Sequence, residues 1–581
     1  MKKELKALLK RYKWYIFVEI IFIILNVYLL AYPSKIIGNI VDLLYNINEN
    51  KSEIFKAVGI LILTCIGMLI TRTIWKNLDY KADIKMTKDL KDRLFTKLLK
   101  VKIEKLNEIK NGEIMSYFVS DARKVTRLLT RFIATGTRII FNFVILIFMM
   151  SKSCNIKLTI LSLIPITITI IITIVIRNRV STSFREAQKS FTELSEYVQE
   201  STDSIRTMKA FVGEEKQIND FEQKNLHLKR NNIKVTKNQN LLDICISVGF
   251  GLSYAISLLV GSNMVISGEI TIGEFIAFNG YLAILEAPVN WLPWLVSRFK
   301  KLKISYDRLD KMFSLEEEQI KVYDNEKYDS MEGHVEIKDL TYNYPGYIET
   351  VLENINIDVH KGETLGIIGV IGSGKTTLMN LLLKLYDVER GKIFIDGEDI
   401  NDIPIKKIRD NICYITQDNF LFSTSLKENI NLFKDNYEDE AIAESTKKAM
   451  IYDDIAEMKD GIYTIIGEKG IDLSGGQKQR VVISRAFLNN SNIVIFDDTF
   501  SALDNRTEQH VLNNIKELTK EKTCIIISNR ISDIKDCDKI IVLEQGAIVE
   551  RGTHTSLIDK KGKYYEFFES QAHQAESTIL D

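Results

Sequence analysis

The sequence predicts a multi-domain membrane protein with an N-terminal all-α domain of six membrane helices and a C-terminal α/β domain. With 581 residues, the chain is too long for a single hydrophobic core. Its long charge-free runs all lie before about residue 300, whereas strand-like segments with glycine-rich turns begin at about Val335. We therefore place a membrane domain at 1–315, a linker at 316–334, an α/β domain at 335–570 and a C-terminal tail at 571–581.

Six apolar segments meet or approach the roughly 20 residues that a helix needs to cross the hydrocarbon core. The segment between Leu158 and Ile176 contains no charged residue. The basic N-terminus resembles a secretory signal, but the apolar stretch from Trp14 to about Leu44 is too long for one and lacks a small-residue cleavage site. We therefore expect a retained first membrane helix. The six predicted spans lie near 14–45, 54–80, 130–150, 156–178, 241–266 and 273–299.

The loops between these spans are of two kinds. Those after spans one, three and five are short, whereas those after spans two and four are long and rich in Lys and Arg. The positive-inside rule therefore places the long loops and the basic N-terminus in the cytoplasm. Helical periodicity, as in Ala187 to Gln199, predicts that these loops continue the membrane helices into water. We expect a multi-pass protein of the bacterial cytoplasmic membrane, with its α/β domain in the cytoplasm.

Charged residues within the predicted spans are candidates for function, because burying a charge in the bilayer is costly. Glu286 lies in the middle of span six, two residues before Pro288. It either lines a substrate cavity or pairs with Arg72 or Arg138 of other spans. Glu19 lies near the cytoplasmic end of span one, where we expect its side chain to reach the interface.

The overall charge is balanced, with 77 basic and 77 acidic residues, so it gives no sign of a nucleic-acid partner. The six cysteines are scattered, and no two have metal-ligand spacing. We therefore expect neither a disulfide framework nor a cysteine zinc site.

A phosphate-binding loop follows the short apolar strand that begins at Leu365. Residues 369–376 read GVIGSGKT, which matches G-x-x-x-x-G-K-[ST], and the segment that follows has helical character. The glycines let backbone N–H groups approach phosphates, while Lys375 meets the β- and γ-phosphates and Thr376 binds Mg²⁺. The residues expected around the nucleotide here are Gly369, Gly372, Ser373, Gly374, Lys375, Thr376 and Thr377.

Two further motifs support an ATP site. The apolar strand Ile493 to Phe496 ends in Asp497, which is well placed to hold Mg²⁺ through water. Between this strand and the phosphate loop, residues 473–477 read LSGGQ and precede a helix. A helix that begins with Ser and Gly offers an anion-binding end, so Ser474, Gly475, Gly476 and Gln477 join the nucleotide-binding candidates.

With this pentapeptide, nearly the whole chain resembles an exporter-type half-transporter of the ABC transporter superfamily. The resemblance implies an ATP hydrolase that uses ATP and Mg²⁺, lies in the lipid bilayer and pairs with a second half-transporter chain. In that family, the pentapeptide of one chain clamps the ATP held by the other chain. One chain is therefore not expected to complete an ATP site by itself.

The resemblance also assigns roles to other residues. Tyr344 corresponds to the aromatic residue that stacks on adenine, Gln417 to the glutamine that contacts Mg²⁺, and Asp504 to the end of the loop 501–504 that crosses the dimer. Residues 466–470 correspond to a segment that touches the membrane helices. By weaker resemblance, the membrane-domain loops that dock on the ATP-binding domain lie around 112–121 and 204–214.

Two residues depart from the family pattern at the hydrolytic step. Asp498 stands where the family has a glutamate that acts as general base, and Asn529 stands where it has a histidine that contacts the γ-phosphate. The shorter carboxylate falls more than about 1 Å short, and such a misplacement can cost on the order of 100-fold in rate. Asn529 donates hydrogen bonds but carries no charge. We therefore expect a site that binds ATP and hydrolyses it poorly, as in the degenerate subunit of a heterodimeric exporter.

A slow homodimer and an ATP-gated channel or regulator are the alternatives to a heterodimeric exporter. Drugs, lipids and peptides are all open as substrates, and uptake rather than export is possible on the same architecture.

Overall fold

The computed structural model describes residues 2–44, 47–318, 331–347, 349–434, 437–467 and 473–580. The chain divides into two compact units. The first comprises 1–100 and 109–315, and the second comprises 101–108 and 316–581. The predicted linker 316–334 falls mostly outside the described residues.

The first unit is all-α in its described residues. Six of its helices are long and apolar enough to cross a membrane, which confirms the predicted fold class for this half. Its helices are α1 (Lys2–Arg11), α2 (Lys13–Leu43), α3 (Ile47–Leu98), α5 (Asn111–Ser116), α6 (Ala122–Ser153), α7 (Ile156–Asp203), α8 (Ile205–Ala210), α9 (Glu214–Ile266) and α10 (Ile272–Ser314). The short helix α4 (Ile103–Asn107) belongs to the second unit.

Several of these helices are much longer than a bilayer requires. The α3 helix has 52 residues and α9 has 53, against about 20 for a span. The predicted helical extensions are therefore present. The two loops expected to dock on the ATP-binding domain contain short elements: α5 with a π-helical turn at Tyr117–Asp121, and α8 between α7 and α9.

Close helix packing in the first unit depends on glycine. At the crossing of α2 and α10, a Cβ on Gly38 would lie 2.3 Å from the carbonyl oxygen of Gly273. Only a residue without a side chain allows this approach, as is common between membrane helices. Asp42 fixes the same crossing, because its carboxylate accepts hydrogen bonds from the backbone N–H of Gly273 and the hydroxyl of Thr271, both at 2.7 Å.

The expectation for Glu19 was wrong. Its side chain is 1% exposed and does not reach the interface. It lies on the same face of α2 as Ile23 and Val27, which are also buried, because residues four apart share one helix face. The carboxylate is therefore turned inward among the helices.

Neither Arg72 nor Arg138 pairs with Glu286 within the described part of the first unit. Glu286 is exposed. The guanidinium of Arg138 instead lies 4.2 Å from the ring centroid of Trp291 and 5.3 Å from that of Trp75. Cation–π contact therefore provides Arg138 with partners.

The second unit contains two sheets, which confirms the α/β prediction. A four-stranded antiparallel sheet has the order β2-β1-β4-β5, and a six-stranded sheet has the order β10-β9-β3-β8-β7-β6. The strands are β1 (Val335–Tyr342), β2 (Leu352–Val359), β3 (Thr364–Ile368), β4 (Ile393–Ile395), β5 (Glu398–Asp399), β6 (Ile412–Ile415), β7 (Ile493–Asp497), β8 (Thr523–Ile527), β9 (Lys539–Glu544) and β10 (Ala547–Gly552).

Helices connect the strands of the second unit. They are α11 (Lys375–Leu382), α12 (Ile405–Asn411), α13 (Leu426–Asn431), α14 (Asp439–Lys448), α15 (Tyr452–Ala456), α16 (Gly475–Leu488), α17 (Asn505–Thr519), α18 (Ile531–Ile534), α19 (His554–Lys560) and α20 (Lys563–Leu580). The predicted C-terminal tail begins inside α20, at Gln571.

Strands β3, β8, β7 and β6 pair in parallel, with β6 outermost, and nearly all of their residues are buried. Loops that follow neighbouring parallel strands emerge at the same edge of a sheet, which is where α/β proteins bind ligands. The topology thus brings distant segments of the sequence to one edge.

Candidate active site

Four loops at this edge carry predicted site residues. The phosphate loop follows β3, Asn529 follows β8, Asp498 follows β7 and Gln417 follows β6. Because these four strands are consecutive neighbours in the sheet, the loops are adjacent. The sheet order therefore explains why motifs separated by more than 100 residues meet.

The backbone of the phosphate loop requires its glycines. Gly374 has φ of 99° and caps the N-terminus of α11, and Gly372 has φ of 85°; side chains are disfavoured at such angles. A Cβ on Gly369 would lie 2.1 Å from the carbonyl oxygen of Leu543. The loop therefore curls tightly onto the N-terminus of α11, the positive end of the helix dipole.

Lys375 and Ser373 have groups that suit a bound triphosphate. The Lys375 ammonium donates to the carbonyl oxygens of Gly369 at 2.6 Å and Val370 at 3.0 Å, and so lies over the loop. Burial lowers the pKa of this ammonium, although the Asp497 carboxylate opposes that effect. The Ser373 side chain is 2% exposed, and its hydroxyl has no hydrogen-bond partner among the described residues. An anion in the loop would satisfy both groups.

Asp497 lies where a hydrated cation would be held. Its Oδ2 accepts hydrogen bonds from the Tyr414 hydroxyl at 2.8 Å and the Thr376 hydroxyl at 3.3 Å. Burial raises the pKa of the Asp497 carboxyl, and the hydrogen bonds from Tyr414 and Thr376 oppose this rise. The Thr376 hydroxyl and the Asp497 carboxylate are oxygen ligands of the kind that Mg²⁺ prefers, so the residues fit this ion.

Asp498 has an unusual backbone conformation. Its φ is 47°, in the left-handed region that Asp adopts more readily than most residues, and its N–H donates to the carbonyl of Ile527 at 2.8 Å. The amide of Gln417 donates to the Asp498 carboxylate at 3.4 Å. Burial and the nearby Asp533 carboxylate raise the pKa of Asp498. The Asp498 side chain, in the loop after β7, thus contacts the loop after β6.

The backbone of Asn529 is held by Gln571, a residue that belongs to none of the sequence motifs. Its backbone carbonyl accepts a hydrogen bond at 2.7 Å from Gln571, whose own carbonyl accepts one at 3.0 Å from the N–H of Ile531. The Asn529 side-chain oxygen is buried and has no partner among the described residues. Sequence analysis missed Gln571, because it lies in the predicted tail and carries no motif.

The pentapeptide forms the N-terminus of α16. The Ser474 hydroxyl accepts from the N–H of Gln477 at 3.2 Å, and the Gln477 side chain accepts from the N–H of Ser474 at 3.0 Å. The two bonds form a capping box, and Ser474 and Gly475 at the start of α16 are exposed. A Cβ on Gly475 would meet nothing within 4 Å, whereas one on Gly476 would lie 3.1 Å from the carbonyl oxygen of Ala502.

The loop 501–504 is joined to the pentapeptide helix. The N–H of Ala502 donates at 2.9 Å to the side chain of Gln479, which is 1% exposed. Asp504 caps α17, because its carboxylate accepts from the N–H groups of Arg506 at 3.1 Å and Thr507 at 3.0 Å. These hydrogen bonds lower the pKa of Asp504. Its role within this chain is therefore a helix cap.

Tyr344 lies next to the phosphate-loop helix. Its hydroxyl and that of Thr377 are 2.9 Å apart, and its ring meets the ring of Tyr386 edge to face with centroids 5.1 Å apart. The Tyr386 hydroxyl accepts at 3.0 Å from Asn107, in the segment Val101–Glu108 of the second unit. Sequence analysis did not single out this segment. Of the predicted segment 466–470, only Ile466 and Gly467 lie within the described residues.

Comparisons with known proteins match both halves of the chain. A family model described as the ABC transporter transmembrane region matches residues 16–289, and one described as ABC transporter matches residues 352–501. The chain is 31% identical to the probable multidrug resistance ABC transporter ATP-binding/permease protein YheI of Bacillus subtilis, over 93% of this chain and 92% of that protein.

Other similar proteins are also ABC transporters. The chain is 29% identical to the multidrug resistance-like ATP-binding protein MdlA of Escherichia coli, over 94% of this chain and 92% of that protein. In fold, it is similar to a bacterial Atm1-family ABC exporter with ATP bound, at a TM-score of 0.77 and 22% identity over 97% of this chain and 99% of that chain. The chain therefore belongs to the ABC transporters, as an exporter-type half-transporter that fuses a membrane domain to an ATP-binding, ATP-hydrolysing domain.

Proposed function

We propose that this chain is one half of a heterodimeric ABC exporter and that its own ATP site hydrolyses ATP poorly. The observation that carries this proposal is Asp498, a short carboxylate at the position of the general base. Asn529 further weakens the hydrolytic step, because its amide provides no positive charge to the γ-phosphate where the family has a histidine. The phosphate loop and the pentapeptide are intact.

In the proposed site, this chain's residues bind three parts of MgATP: the phosphates, the adenine and the Mg²⁺. The phosphate-loop N–H groups, Ser373 and Lys375 hold the phosphates, and Tyr344 packs against the adenine. Thr376, Gln417 and Asp497 would hold the Mg²⁺, Asp497 through water. When bound, the ion would neutralise charge on the phosphates. Asp498 orients water weakly, since its carboxylate is one methylene too short.

The pentapeptide has a different task in this proposal. The exposed N-terminus of α16, with Ser474 and Gln477, meets the γ-phosphate held by the partner chain. Hydrolysis at that second site then depends on this chain, although the partner supplies the general base. The site built on Lys375 retains its nucleotide for longer and stabilises the dimer.

The names of the relatives suggest the cargo. Because several are named as multidrug transporters, we propose drug-like amphipathic molecules as the substrate class and export as the direction. The basic N-terminus and long basic loops support a cytoplasmic ATP-binding domain. Dye transport into inverted membrane vesicles, where export appears as uptake, tests the substrate class: ATP-dependent uptake of a fluorescent drug should vanish in the Ser474→Arg variant.

The assembly is tested by purifying the tagged chain from its native membrane and measuring the subunit ratio by mass spectrometry. We expect a second, different half-transporter in a one-to-one ratio. Recovery of this chain alone as a dimer with substrate-stimulated ATPase activity would instead establish the homodimer. A complex in which substrate does not stimulate hydrolysis would favour the channel or regulator.

A further inference from the structure

Two histidines and an aspartate meet at the outer end of the β1–β2 pair, away from the motifs described above. In the register of these antiparallel strands, Val335 pairs with Val359 and Glu336 pairs with Asp358. His334 and His360 extend this register by one residue at the strand ends. Since side chains two residues apart on a strand share a face, Asp358 and His360 lie on the same side.

The side-chain distances show that the three groups converge. The Nε2 of His334 is 2.7 Å from Asp358 Oδ1, and the Nε2 of His360 is 3.4 Å from Asp358 Oδ2. The two imidazole rings stack with centroids 4.4 Å apart. One donor atom from each of the three residues lies within 4.8 Å of the others, and all three side chains are accessible to solvent.

Hydrogen bonds fix the backbone on both sides of this cluster. The Asp396 carboxylate accepts from the N–H groups of Gly333 at 2.9 Å and His334 at 2.8 Å. The N–H of His360 donates to Glu363 at 2.8 Å. Binding of an ion costs less free energy when the residues that bind it are already held near their bound positions. The backbone of both histidines is therefore held in place before an ion binds.

We propose that His334, Asp358 and His360 form a binding site for a divalent transition-metal ion of the Zn²⁺ class. Imidazole nitrogens suit Zn²⁺, Cu²⁺ and Ni²⁺, whereas Mg²⁺ prefers oxygen ligands. Two nitrogens and one carboxylate leave the fourth tetrahedral position of Zn²⁺ to water, and the exposed side chains leave it open. The ion links the start of β1 to the end of β2, and so staples the four-stranded sheet.

Neighbouring charges are compatible with this site. Lys539 is the nearby cation, but its ammonium is 2.7 Å from the Glu363 carboxylate and donates to the backbone carbonyl of Asp358 at 3.0 Å. The His334 imidazole is hydrogen-bonded to the Asp358 carboxylate at 2.7 Å, and a bound ion would replace that contact.

The test is a Zn²⁺ titration of the full-length purified chain, without nucleotide, against a chromogenic chelator. We expect one ion per chain in the parent protein. The separate variants His334→Ala, His360→Ala and Asp358→Asn should each weaken Zn²⁺ binding by at least about tenfold, the lower end of what losing even an outer-shell partner costs. His510→Ala is the matched control, because His510 is exposed and lies outside the cluster; it should bind Zn²⁺ like the parent.

Two further readouts separate this site from binding elsewhere. Zn²⁺ should raise the melting temperature of the parent and of His510→Ala but not that of His360→Ala, because a ligand that binds only the folded state stabilises it. With Cu²⁺ as probe, electron paramagnetic resonance should show imidazole nitrogen couplings that are reduced in His334→Ala. No Zn²⁺ binding by the parent, or binding that survives all three substitutions, would overturn the proposal.

Discussion

The phosphate loop and the hydrolytic corner of the ATP-binding domain lie at the same sheet edge but differ in how well they match their chemistry. The phosphate loop keeps every element that holds phosphate, including Lys375 and the glycines that its backbone angles require. In our proposal, the hydrolytic corner is made of Asp498 and Asn529, a shorter carboxylate and an uncharged amide in place of the glutamate and histidine that the family resemblance leads us to expect. If the proposal holds, the comparison teaches that binding and hydrolysis of ATP depend on separate side chains of one fold, so that hydrolysis can weaken while binding persists.

The largest effect is expected for Ser474→Arg in the complete complex. The substitution places a bulky side chain at the exposed start of α16, where the partner's γ-phosphate would lie, so steady-state hydrolysis should fall by at least about 100-fold. Thr553→Arg is the matched control, because Thr553 is also an exposed N-cap with a capping box, at α19. Its variant loses a cap worth about 1 kcal/mol and should retain ATPase activity.

Lys375→Ala should weaken nucleotide binding to the same chain. A charge-assisted hydrogen bond contributes roughly 1.5–3 kcal/mol, which corresponds to about a 10- to 100-fold loss of ATP affinity. Fluorescent nucleotide binding by the purified chain measures this loss. Lys361→Ala, at an exposed lysine before β3, is the control. Equal affinity in both variants would refute the assignment of the phosphate loop.

Substitutions of Tyr344 test which part of its side chain contributes to ATP binding. Tyr344→Ala removes the aromatic ring and should weaken ATP binding by about two- to tenfold, the size of an aromatic contact. Tyr344→Phe keeps the ring and loses only the contact between the hydroxyls of Tyr344 and Thr377, so its affinity should stay close to that of the parent. If both variants lost affinity equally, the hydroxyl rather than the ring would carry the interaction.

The smallest effect is expected for Asp498→Asn in the complete complex. In our proposal this change alters a site that already hydrolyses poorly, so steady-state ATPase activity should change far less than in Ser474→Arg. Measuring both variants in one preparation provides the comparison directly. Equal damage would mean that the two ATP sites are equivalent, and the proposed division of labour would be wrong.

Much of this architecture follows from the sequence, because bilayer thickness dictates the length of apolar runs and phosphate binding requires glycines at fixed spacing. Side-chain partners are different. Tyr414 and Gln571 contact the site through strand and helix packing, which leaves no local motif. The error at Glu19 has the same origin. The sequence indicates its position along the first membrane helix, but whether its helix face is buried depends on which helices pack beside it.

The measurement that tests the central claim most directly is the steady-state ATPase activity of the purified chain alone, with and without restoration of the family's residues. We expect little hydrolysis by the parent and a partial gain in Asp498→Glu. Two factors limit that gain. Asn529 lacks the positive charge of a histidine, and residue 498 has a φ of 47°, which suits Asp better than Glu. Adding Asn529→His should raise activity further. Brisk hydrolysis by the unmodified chain, at rates typical of the family, would contradict the proposed weak site and favour a homodimer.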